Sequence, residues 1–190
     1  SEAEKQLELN RYPDPHQQVL KSQICDFRNK ERNDVLASEK LSVDNLCLGV
    51  GSDESIDALM RCFISPGKEK MILCPPTYGM YTICGVVNDV GIVKVPLDLE
   101  TFDIIPGDIL NAIRNDASIK LVYITSPGNP TAKKVSEPLL FELLAANEKE
   151  SLNVVIVLDE AYIDFAPVGS SLCTLVNRHP NLIVLQPLSK

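Results

Sequence analysis

The strongest constraint on this chain is a rhythm. Six short apolar runs, at 46–50, 71–74, 92–95, 121–124, 154–158 and 182–185, recur along its 190 residues. The runs are apolar throughout rather than alternating, and several are rich in Val and Ile, which is the pattern of strands covered on both faces. Helical spacing fills several of the gaps, at 53–63, 78–89, 106–114 and 137–149. Alternation of this kind predicts an α/β fold: a mainly parallel sheet with right-handed crossovers and helices on both faces. In such sheets ligands bind outside the carboxyl ends of the strands. The residues just after each run are therefore the ones to inspect for chemistry.

Upstream of the rhythm the chain is different. Residues 1–15 read as a surface arm, with Tyr12-Pro13-Asp14-Pro15 forcing extended or turn backbone. Residues 17–38 form a polar segment with Val19, Leu20, Ile24 and Phe27 at helical spacing. The expected division is an N-terminal arm and helix at 1–38, then a ligand-binding α/β domain at 39–190.

Composition narrows the partners. The net charge is 18 − 26 = −8, which argues against nucleic acid and against anionic membrane surfaces. No apolar run approaches the length that crosses a bilayer, and the polar start lacks a signal core. The six cysteines, Cys25, Cys47, Cys62, Cys74, Cys84 and Cys173, are scattered without CxxC or Cys/His ligand spacing. They read as free, mostly buried thiols, so a reducing compartment, the cytoplasm, is expected. His16 and His179 have no acid or nucleophile at useful spacing.

Four motifs follow the runs. Gly49-Val50-Gly51-Ser52-Asp53-Glu54 closes the first run and opens a helix, with Ser52 expected as N-cap. The free N–H groups of a helix start bind phosphate, in which case the carboxylates of Asp53 and Glu54 must point away. The same residues also suit a plain turn whose acids favour the helix dipole. Tyr78, in Pro75-Pro76-Thr77-Tyr78-Gly79-Met80-Tyr81, can stack on a flat ligand or simply pack at a helix start. Ser126-Pro127-Gly128-Asn129-Pro130-Thr131 is a loop stiffened by two prolines, able to aim the Asn129 amide or to serve as a surface turn.

The fourth motif decides the chemistry. Asp159-Glu160-Ala161-Tyr162 follows a buried run, and a carboxylate there is costly unless partnered. Lys190 stands 190 − 159 = 31 positions later, after the last run. An amine to hold an aldehyde, an acid to keep a pyridine nitrogen protonated and a hydroxyl near a phenolate oxygen are what pyridoxal 5'-phosphate requires. At ~4 Å and an effective dielectric of ~20, the acid–pyridinium attraction is about 4 kcal/mol before desolvation. The bland alternatives are a capping Asp and a solvated lysine.

With these residues in order, together with Arg11-Tyr12-Pro13-Asp14 and Leu188-Ser189-Lys190, the chain resembles the histidinol-phosphate aminotransferases. These are fold type I pyridoxal-phosphate enzymes, and the resemblance spans nearly the whole chain. It implies that Lys190 holds the cofactor covalently and carries the proton at the substrate α-carbon. Asp159 pairs with the pyridine nitrogen, Tyr162 and Asn129 bond the phenolate oxygen, and Tyr78 stacks on the ring. Ser52, Asp53 and Glu54 offer backbone amides to the phosphate, helped by Ser189. Tyr12 reaches the site of a partner subunit, so a homodimer is implied. The implied reaction passes an amino group between histidinol phosphate (or imidazole acetol phosphate) and glutamate or 2-oxoglutarate, in histidine biosynthesis.

Two departures matter. Pro187 stands where the family usually has a hydroxyl residue, which removes one phosphate contact. After Lys190 the family carries a phosphate-binding arginine and a small domain with a substrate-binding arginine. The chain is thus expected to be an incomplete large domain, catalytically poor alone. The other readings are a related aminotransferase, a decarboxylase of a phosphorylated amino acid, or a truncated form that only dimerises. A nucleotide-binding α/β protein is disfavoured because no dinucleotide or P-loop glycine spacing is present.

Overall fold

A computed structural model describes residues 12, 14–31 and 39–188. Five strands form one sheet: β1 (Lys70–Leu73), β2 (Gly91–Lys94), β3 (Ile119–Thr125), β4 (Val155–Asp159) and β5 (Leu182–Leu185). Their order is β2-β1-β3-β4-β5, and every pairing is parallel. The helices are α1 (Gln18–Glu31), α2 (Gly51–Phe63), α3 (Met80–Val87), α4 (Pro106–Asn115) and α5 (Glu137–Lys149). The α/β expectation therefore holds.

The period of two along each strand sorts the core into two layers. Ile72, Val122, Ile124, Ile156 and Leu158 face one way, where Ile109, Leu110 and Ile113 of α4 and Leu140, Leu143 and Leu144 of α5 cover them. The residues between them, Met71, Leu73, Leu121, Tyr123 and Val157, face the other way. There they meet Ile56 and Met60 of α2 and Tyr81 and Cys84 of α3. Helix α3 approaches the sheet closely at Gly85, where an added Cβ would sit 2.6 Å from Cε of Met71 and displace that flexible side chain. Burial of these side chains, at about 25 cal/mol per Å² of apolar surface, is the main stabilising term.

The local rules explain the helix limits. Pro106 opens α4 at a position where a missing N–H costs nothing, and Arg114 closes it near the negative end of the dipole. Buried Asn147, in the last turn of α5, donates to the Val154 carbonyl at 2.8 Å, which ties the helix end to the entry into β4. Helix α1 is tied to the loop after β4 by buried Arg28, whose guanidinium reaches both oxygens of Asp164 at 2.5 and 3.1 Å. The helix expected over 17–38 runs from Gln18 to Glu31, and 32–38 lie outside the described residues.

Two expectations are corrected. The run at 46–50 is not a strand: only Leu46 and Leu48 are half-buried, Val50 is exposed, and among the described residues no strand pairs with it. Apolar composition alone cannot make a strand without a ladder partner. Ser52 is not the N-cap. Helix α2 starts two residues earlier than expected, at Gly51, whose φ of +76° turns the chain into the helix, and Val50 occupies the cap. The cysteines are free as expected; Cys25, Cys74, Cys84 and Cys173 are buried, whereas Cys47 and Cys62 are exposed.

Candidate active site

The site grows from the carboxyl edge of the sheet. Thr125 ends β3 and Asp159 ends β4, and the two are direct partners in the parallel ladder. Both share the parity of Tyr123 and Val157, so both stand on the α2/α3 side. The chain leaving β3 is held to β4 by the Ser126 N–H, which donates to the Asp159 carbonyl at 2.8 Å. The Ser126 hydroxyl then accepts from the Val135 N–H at 3.0 Å, closing the proline loop that carries Asn129. Peptide bonds Pro75-Pro76, Ser126-Pro127 and Asn129-Pro130 are cis.

Asp159 is only 2% exposed. Its Oδ2 accepts from the Tyr81 hydroxyl at 2.6 Å, and its Oδ1 accepts from the Ala161 N–H at 3.0 Å. A small hollow opens beside it, lined by Ser52, Tyr78, Thr125, Asn129, Asp159, Ala161 and Tyr162. A larger groove of about 560 Å³ adjoins it, walled by the loop 127–130, Lys134, Tyr162, Phe165 and Pro167. That volume is typical of small-molecule sites. Asn129 and Tyr162 line both hollows.

Five of the residues singled out from sequence thus converge: Ser52, Tyr78, Asn129, Asp159 and Tyr162. Asp53 and Glu54 are exposed at the start of α2. Both carboxylates have local partners. Glu54 folds back to accept from the Val50 N–H, and Asp53 accepts from the Tyr78 hydroxyl at 3.4 Å. Tyr12 is fully exposed and lines neither hollow. Ser189 and Lys190 lie outside the described residues. Strand β5, which leads to them, pairs Leu185 with Asp159, so the chain leaves the sheet beside the buried acid.

The whole chain, residues 1–190, matches the family described as aminotransferase class I and II. This chain belongs to that family. It is 59% identical over its full length to the histidinol-phosphate aminotransferase of Candida maltosa, of which it covers 48%. It is 46% identical, over 97% of its length, to the histidinol-phosphate aminotransferase of Schizosaccharomyces pombe, and covers 46% of that protein. The chain spans about half the length of the curated relatives it matches. In fold it is similar to a tyrosine aminotransferase of Leishmania infantum, with a TM-score of 0.82 over the whole chain and 51% of that protein, at 15% identity.

For this aminotransferase-family chain, sequence reasoning missed Tyr81, Thr125 and Thr77. The Tyr81 hydroxyl lies 2.9 Å from that of Thr125, which lies 3.1 Å from that of Thr77. Tyr81 stacks on Tyr123 with ring centres 4.9 Å apart and meets Tyr78 edge-on at 5.7 Å. Burial, reinforced by the Asp159 charge, pushes the Tyr81 phenol far above its ordinary value. It therefore stays a donor at any working pH. Tyr78 lies in the loop before α3 and Tyr81 in its first turn, so their meeting depends on how that loop enters the helix.

Proposed function

We propose that this chain forms the cofactor-binding large domain, residues 39–190 with the arm and helix 1–38, of a pyridoxal 5'-phosphate-dependent histidinol-phosphate aminotransferase. The observation that carries the cofactor is a buried carboxylate, Asp159, opening onto one hollow with an amide, Asn129, and a phenol, Tyr162. That donor set fits a flat ring with a protonated nitrogen on one side and a phenolate oxygen on the other. Tyr78 would supply an aromatic wall, and the backbone N–H groups of Ser52, Asp53 and Glu54 at the amino end of α2 would hold a phosphate, helped by Ser189. Identity of 59% to a histidinol-phosphate aminotransferase supports the substrate.

When bound, the cofactor would accept the amino group and draw electrons from the substrate α-carbon. Asp159 would keep the ring nitrogen charged, at a position its neighbours hold without reorganisation. Asn129 and Tyr162 would donate to the phenolate oxygen and orient the ring. Lys190 would hold the cofactor through its amine and, once displaced, move the proton at the α-carbon as general acid and base. The amino donor and acceptor would be histidinol phosphate with imidazole acetol phosphate, and glutamate with 2-oxoglutarate. The working protein would be a cytoplasmic homodimer, with Tyr12 reaching the partner's site.

The test is direct. Full-length protein supplied with pyridoxal phosphate should gain a visible absorption band and pass amino groups from histidinol phosphate to 2-oxoglutarate. A band without that transfer, but with transfer from another amino donor, would reassign the substrate. No band would remove the cofactor from the account.

A further inference from the structure

The row of side chains that runs from Asp159 and Thr125, at the hollow, to buried Tyr81 raises a separate question. Four polar side chains from four elements stand in line there: Thr77 in the loop after β1, Thr125 at the end of β3, Tyr81 on α3 and Asp159 at the end of β4. The contacts are 3.1, 2.9 and 2.6 Å in that order. Tyr81 is fully buried and lines neither hollow, so it cannot touch a ligand there.

Donor accounting gives the line a direction. An ionised carboxylate has no proton to give, so the Tyr81 hydroxyl donates to Asp159. Its oxygen is then free to accept, and the Thr125 hydroxyl donates to it. Thr125, its proton committed, accepts in turn from Thr77. Hydrogen bonds aligned in this way polarise one another and strengthen the last bond in the series. The ring of Tyr81 has no freedom to swing away, because Tyr123 stacks on one face and Tyr78 meets it edge-on. Tyr123 is itself fixed by donating to the Ile56 carbonyl at 3.2 Å.

We propose that Tyr81, supported by Thr125 and Thr77, is a positioning residue that locks the Asp159 carboxylate in the orientation needed at the cofactor ring. The inference rests on the functional reading above and deepens it. One oxygen of Asp159 is pinned by the phenol and the other by the Ala161 amide, so the carboxylate plane is set before any ligand arrives. A fully buried phenol hydroxyl beside a buried acid must be satisfied or it costs stability, and the half-buried Thr125 and Thr77 complete that satisfaction. The α4/α5 side of the same sheet is filled with aliphatic side chains instead.

The experiment uses the full-length protein with pyridoxal phosphate and its amino donor. Tyr81→Phe keeps the ring stack and deletes the hydroxyl. It should still bind cofactor at full stoichiometry, with KM within about twofold of the parent, while kcat falls about tenfold and the visible band shifts in wavelength. A variant that loses heat stability but keeps kcat and the band would show that Tyr81 is only filler, and would overturn the proposal. Thr125→Val, which removes the donor to Tyr81 while keeping the strand-forming shape, should lower kcat about threefold, and Thr125→Ser should restore it. If Tyr81→Phe fails to fold, an unaltered kcat in Thr125→Val overturns the proposal by itself. A parent protein with no visible band or no amino transfer would refute the functional reading, and this inference with it. An active parent with indifferent variants would refute the inference alone.

Discussion

The two faces of this sheet are built from alternate residues of the same strands, yet they are filled differently. Toward α4 and α5 the strands present Ile72, Val122, Ile124, Ile156 and Leu158, met by leucines and isoleucines. Toward α2 and α3 they present Tyr123, Thr125 and Asp159, met by Tyr81. One layer solves the folding problem by removing apolar surface from water. The other gives up some of that stabilisation near the carboxyl edge, where a buried acid and three hydroxyls must be mutually satisfied. Polar groups concentrated on one face of one edge are the mark of a site, because folding alone does not call for them.

The comparison can be broken most sharply at the acid. In the full-length protein, Asp159→Asn should lower kcat on the order of a thousandfold, about 4 kcal/mol in the barrier, with the fold retained. Steady-state kinetics would check this, and a rate within a few-fold of the parent would reduce Asp159 to a structural cap. The aliphatic face should respond in the opposite way. Leu143→Ala, at a fully buried position, should cost about 3 kcal/mol in urea unfolding while activity per folded molecule is unchanged. A large loss of kcat there would erase the distinction between the faces.

How much of this was readable beforehand depended on whether tertiary register was needed. Five of the six apolar runs became strands because they were long enough and had neighbours to bond. The run at 46–50 had the same composition but no partner among the described residues, and one chain's composition cannot reveal that. Asp159, Asn129 and Tyr162 were visible because each follows a strand, and a parallel sheet sends every strand end to one edge. Thr125 and Tyr81 were not visible in their roles. Their meeting depends on the parity of β3, the in-register pairing of Thr125 with Asp159 and the phase of α3 above them. The partners of the exposed Asp53 and Glu54 carboxylates, the Tyr78 phenol and the Val50 amide, likewise take positions that only the folded chain supplies.

The smallest expected effect lies at the opposite edge of the sheet. There Lys70 of β1 holds Asp116, just before β3, at 2.7 Å. The hydrogen bond from Lys70, then those from Ser118, depress the Asp116 carboxyl from 3.8 to about 2. A carboxyl lowered in the folded state stabilises fully above its unfolded value and loses that contribution as pH falls through the folded one. Asp116→Asn should therefore be slightly less stable than the parent at neutral pH, and the gap should close between 3.8 and about 2. Thermal melts across that range would check it, and the group's exposure keeps the effect small. A gap that widens toward acid would mean that the pair is not what depresses Asp116.

The most direct measurement is chemical. Full-length protein is loaded with pyridoxal phosphate, reduced with borohydride, digested and mapped by mass spectrometry. The account predicts one cofactor adduct, on Lys190, which follows β5, the strand whose Leu185 pairs with Asp159. An adduct on Lys134, which lines the neighbouring groove, or no adduct at all, would contradict it.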